Sequence, residues 1–72
     1  MGTKNNPGAY DCYTKAHPDE PMFVLLARDP LAAQLVRLWA DMTTGSAEKK
    51  AEANKCAAAM EVWRAQHGPV KL

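Results

Sequence analysis

The stretch from Asp29 to Gln66 constrains the fold most, because it carries start and stop signals for two helices with only a few residues between them. Asp29-Pro30 opens the first. A carboxylate there accepts orphan amide protons, and proline loses nothing at the first helical position, where its missing N–H would be unpaired anyway. Thr43-Thr44-Gly45-Ser46 closes that helix and opens the next, with Gly45 in the left-handed conformation that ends helices and Ser46 as an N-cap. The spacing predicts helices over about residues 30–43 and 47–66, folded back as an antiparallel hairpin in an all-α chain.

Helical projection shows more apolar surface than such a hairpin hides. At 100° per residue, Leu31, Leu35, Leu38, Trp39 and Met42 share one side of the first helix. Ala32, Ala33, Val36 and Ala40 widen that arc until only Gln34, Arg37 and Asp41 form a polar strip. On the second helix Cys56, Ala59, Met60 and Trp63 make a bulky face, and Ala47, Ala51, Ala58, Val62 and Ala65 a nearly opposite one of small side chains. One partner fills one face, so Ala47, Ala51, Ala58 and Val62 are expected to meet another chain, and a homo-oligomer is expected.

At 1.5 Å per residue the two helices span roughly 20 and 30 Å, so the second overhangs. The overhang at Trp63 is expected beside Asp29 and the apolar run 22–27, with Phe23, Leu25 and Leu26 covering it. That run reads as a short helix started by Asp19, Glu20 and Pro21, since a lone strand would have no partner within the chain. Trp39 and Trp63 are expected as core rings. Asp41 and the Lys49-Lys50 pair each sit at the helix end that the macrodipole disfavours, so they are expected to pair across the hairpin. Around the 10–66 domain, residues 1–9 read as a loose leader, 10–21 as a shaped loop broken by Pro18 and Pro21, and 67–72 as a frayed tail after His67-Gly68-Pro69.

Several function classes are disfavoured. A chain of 72 residues buries a small fraction of its surface and needs added support. Two cysteines do not make a disulfide framework, and no apolar run suits a signal peptide or a membrane span, so a cytoplasmic location is expected. Met1-Gly2 lacks the Ser or Thr of a myristoylation start, having Asn6 instead. Nine basic residues against eight acidic ones argue against bulk attraction to duplex DNA. Cys12, His17, Cys56 and His67 lack the tight knuckle of a structural zinc site, so neither a metal nor another cofactor is expected. A Cys-His nucleophile pair lacks any visible oxyanion hole, and Asp19-Glu20 reads as a helix-start device, so no enzyme is expected.

The side chains best suited to a ligand are Tyr10, Tyr13 and Lys15, with Arg28 near the start of the first helix. Aromatic rings stack on bases, and Lys and Arg pair with phosphate, a combination that suits a nucleotide-like anion. The competing reading is structural: the tyrosines cover the hairpin, and Lys15 and Arg28 are solvated or pair with Asp11 and Asp29. Arg37, on the polar strip, joins such a site only if another subunit brings it there.

The block Tyr13-Thr14-Lys15-Ala16-His17-Pro18-Asp19-Glu20-Pro21-Met22-Phe23-Val24-Leu25, with Leu35-Val36-Arg37-Leu38-Trp39 and Met60-Glu61-Val62-Trp63 after it, resembles a group of short accessory proteins encoded in bacteriophages and prophages. The likeness spans roughly residues 10–64 and brings no assigned catalytic residues. It implies a protein made during infection, of a kind that sequesters a host signal, blocks a host protein or helps assemble the virion. Two functions follow as expectations: an anti-defence sponge that binds a cyclic nucleotide between subunits, or an interaction module that occupies a host or phage protein through an exposed apolar helix face.

Overall fold

Alanine sets the geometry of this fold. In the computed structural model, which describes residues 1–72, four residues are buried, Ala32, Ala40, Ala53 and Ala57, and all lie where two helices meet. The elements are α1 (Cys12–Lys15), α2 (Ala32–Met42) and α3 (Ala47–His67), with no strand. Only α2 and α3 pack together. Ala32, Val36 and Ala40 are spaced by four residues, as are Ala53 and Ala57, so each set forms a ridge of small side chains that lets the helix axes approach closely. Cys56, Met60 and Arg64 flank the contact, half-buried.

The face of α2 that packs is therefore not its bulkiest one. Leu31, Leu35, Leu38, Trp39 and Met42 all remain open to solvent, and Trp39, expected in the core, is 42% exposed. The greasiest sector and the closest-packing sector point in different directions. On α3, Cys56, Met60 and Trp63 of the expected bulky face are half-buried beside the fully buried Ala53/Ala57 ridge, and of that face only Ala59 is exposed. Trp63 is half-buried and stacks on the ring of its own His67, with centroids 4.0 Å apart.

Local chemistry accounts for the helix ends. The Asp29 carboxylate accepts from the Leu31 amide at 2.9 Å and the Asp29 carbonyl from the Ala32 amide at 3.0 Å, so α2 begins two residues later than Pro30, after a turn that Asp29 holds. Thr43 ends α2 in an extended conformation, and its hydroxyl accepts from the Gly45 amide. Gly45 is not left-handed; the Thr43 hydroxyl holds the turn between α2 and α3 instead. Ser46 caps α3, its hydroxyl accepting from the Lys49 amide at 3.1 Å. Gly68 ends α3 at φ +67°, donating its amide to the Arg64 carbonyl.

Other expectations are corrected. The 10–21 loop contains the single turn α1, capped by Asp11, whose carboxylate accepts from the Tyr13 amide and the Thr14 hydroxyl. Residues 22–26 form neither helix nor strand, and Phe23, 86% exposed, is not a cover for Trp63. With prolines at 18 and 21, the segment cannot extend a helix nucleus back toward α1. In the leader, Thr3 and Asn6 exchange backbone hydrogen bonds and the Met1 ammonium donates to the Ala9 and Tyr10 carbonyls, closing a loop. Beyond α3, the Lys71 carbonyl accepts from Arg28 at 3.3 Å. No helix is long and apolar enough to cross a membrane.

Candidate functional site

Lys49 organises the chemistry at the end of the molecule where α2 passes into α3. It lies in the first turn of α3, half-buried, where the helix dipole opposes a positive charge. Asp41 does not neutralise it, since the one ion pair in the chain joins Arg37 to Glu61. Its ammonium instead lies 5.6 Å from the ring centroid of Tyr10 and 5.8 Å from that of Trp39. Lys15 approaches the same Tyr10 ring at 5.7 Å. Electron-rich ring faces attract cations without consuming their charge as a carboxylate would. Two lysines thus share one tyrosine and keep their capacity for an anion.

Local backbone geometry puts Tyr10 there. Its φ of +61° is an uncommon, left-handed value for a side chain of this size. The turn is tied by the Met1 ammonium donating to the Tyr10 carbonyl at 3.0 Å and by the Asp11 cap that starts α1 one residue on. The Thr14 hydroxyl, aided by the Tyr13 and Thr14 amides and the N-terminal ammonium, holds the Asp11 carboxyl below its ordinary value of 3.8 against the opposing effect of desolvation, which ranks next after the hydroxyl. Asp11 is thereby kept as an anion that fixes α1, and with it Lys15.

Tyr10, Lys15 and Lys49 line a groove of about 400 Å³ whose other walls include Met22, Phe23 and Glu20. The Glu20 carboxylate accepts from the His17 amide at 3.0 Å and lies within salt-bridge distance of neither lysine. The groove combines two cations with apolar and aromatic walls, a surface on which a flat, anionic molecule has partners for both its charge and its ring.

The five side chains singled out in the sequence do not converge within one chain. Tyr10 and Lys15 do; Tyr13, one residue into α1, is exposed to solvent. Arg28 is held by the Lys71 carbonyl. Arg37 and Glu61 lie in a second groove of about 610 Å³, which also contains Asp29, Arg64 and Gly68. Ala47, Ala51, Ala58 and Val62 are all exposed on α3. Lys49 and Trp39 are the additions. Lys49 had a visible signal, a cation in the first turn of a helix, but its partners Tyr10 and Trp39 are distant in sequence. Cys12 and Cys56 are free thiols, and no three His, Cys, Asp or Glu side chains are grouped so as to hold a metal ion.

No protein-family model, curated protein or solved structure matches the chain.

Proposed function

We propose that this chain is a small accessory protein of bacteriophage type that acts by binding, not catalysis: an oligomer of helical hairpins that sequesters a cyclic nucleotide or related anion beside a subunit contact in the host cytoplasm. The observation that carries the reading is the pair of ammonium groups, Lys15 and Lys49, on one Tyr10 ring in an open groove, neither neutralised by a carboxylate. Phosphate satisfies those cations, and a base has Tyr10 and Phe23 as stacking surfaces. The hairpin is supported by the order of cross-helix neighbours: Trp39 meets Lys49, Arg37 meets Glu61, and Asp29 and Gly68 share a groove. Positions thus rise along one helix as they fall along the other. Tyr13, Arg28 and Arg37 act in this reading from a neighbouring copy, and the small face Ala47, Ala51, Ala58 and Val62 is a contact between copies.

Isothermal titration with cyclic di- and trinucleotides and ADP-ribose derivatives tests the ligand. Saturable heat that is lost in Lys15→Ala and Lys49→Ala is the expected result; heat-free titrations of folded protein across the panel remove it. A second reading draws on the same open row on α2, as a module that blocks a host or phage protein without any small ligand. Stoichiometric recovery of one such protein from infected lysate, together with silent titrations, selects that alternative.

A further inference from the structure

We infer that two copies of this chain pair through Leu31, Leu35, Leu38 and Met42 of α2 and the turn before it. The inference rests on the oligomer in the reading above and assigns its tighter contact to α2, the Ala47/Ala51/Ala58/Val62 face of α3 being the weaker one. These residues follow one another at steps of four, three and four, the spacing of a coiled-coil seam, in which each side chain enters a hole formed by the facing helix. The row does not face α3. At 100° per residue it lies roughly 130° around α2 from the Ala32/Val36/Ala40 ridge, so α3 cannot cover it without abandoning that ridge. The four are 56%, 41%, 52% and 72% exposed in the single chain.

Area and chemistry together select a second copy. With Trp39 at its edge, the row leaves on the order of 500 Å² of residue surface open, so two copies remove at most about 1,000 Å² in total from these residues, where specific interfaces begin. No charged residue interrupts the row, and a seam of this spacing is complementary to itself, as an isologous two-fold contact requires. The need is also specific to this chain, whose own buried residues are four alanines. Trp39 lies between the row and the alanine ridge on the helical projection, with the Lys49 ammonium 5.8 Å from its ring centroid, so pairing brings the partner's surface toward the Tyr10/Lys49 groove.

Sedimentation velocity on the full chain without nucleotide tests the pairing, with Leu38→Glu and Ala58→Leu run beside it. The wild type is expected to rise from 7.9 kDa to at least twice that as concentration increases. Leu38→Glu is expected to bind itself about 100-fold or more weakly, because a buried, unpaired carboxylate stands on each side of the seam. Its helical circular dichroism should persist, since Leu38 is remote from the Ala57 contact. Should the variant unfold, Trp39 emission in a Trp63→Phe background decides instead: a blue shift with concentration supports a covered row, and emission that stays red overturns it. Association that survives Leu38→Glu but is lost in Ala58→Leu overturns the α2 row and leaves the oligomer. A wild type that stays at 7.9 kDa overturns both. A Leu38→Glu shift to monomer with heat-free nucleotide titrations supports the pairing and removes only the ligand.

Discussion

Replacing Ala57 with leucine should destabilise the two-helix contact, and replacing Ala59 with leucine should not. Both positions lie in the interior of α3 and undergo the same chemical change, and leucine is nearly as good a helix former as alanine. Propensity therefore cancels, and what remains is surroundings. Ala57 has no exposed surface and faces α2, whereas Ala59 is open to solvent. Three added carbons at Ala57 have no room between ridges of small side chains, so the helices must part or the new side chain must leave its preferred rotamer, at a cost of about 1–3 kcal/mol. A chain this size has roughly 4–11 kcal/mol of total stability at the usual per-residue value, so the loss is a large share. Each kcal/mol lowers the melting temperature by about 4–8 °C at this length. Urea unfolding and thermal melts followed by circular dichroism, at matched protein concentration, measure the difference. Equal melting curves for the two variants would refute an alanine-to-alanine core and would place α2 against another face of α3.

Further outcomes follow from single contacts. Ser46→Ala removes the acceptor for the Lys49 amide and should cost about 1 kcal/mol, read by urea unfolding, with Ser46→Asp restoring most of it. Gly68→Ala meets no neighbouring atom but is held at φ +67°, ψ −166°, a region essentially reserved for glycine, so it should cost about 1–3 kcal/mol through the backbone alone and fray the last turn of α3, visible as faster amide exchange. The Asp11 carboxyl titrates below its ordinary value of 3.8 in the folded chain, so its support of α1 is complete above that value and is lost as pH falls through the lowered one. Amide shifts of Tyr13 and Thr14 should report a midpoint below 3.8, absent in Asp11→Asn; a midpoint at or above 3.8 would contradict the cap.

What the sequence discloses here is local chemistry, and what it conceals is the choice between faces. Ser46 and Gly68 are legible because a cap or a helix stop is set within three or four residues, and both act in the structure as their types dictate. Gly45 misleads because the hydroxyl of Thr43, two residues earlier, accepts its amide and the turn is made without a left-handed glycine. The packing face of α2 is hidden for a different reason. Periodicity finds the sector richest in leucine, but helix axes approach most closely along alanine, and this helix has both sectors. The candidate site is half legible on the same grounds. Tyr10 and Lys15 are five residues apart and meet through one turn, whereas Lys49 comes to Tyr10 only because α2 and α3 bring the start of α3 beside the leader. Asp41 and Lys49 illustrate the limit of charge counting: aromatic rings, not an opposite charge, take up the cation.

The open leucine row and the alanine core are the grounds for the proposal that a second surface completes the fold. Sedimentation equilibrium of the purified full chain, from micromolar to millimolar concentration, measures this directly. A mass that climbs reversibly from 7.9 kDa toward an integer multiple, with helix content rising or constant, is the predicted result. A fully helical, cooperatively melting species that stays at 7.9 kDa across the whole range would contradict it.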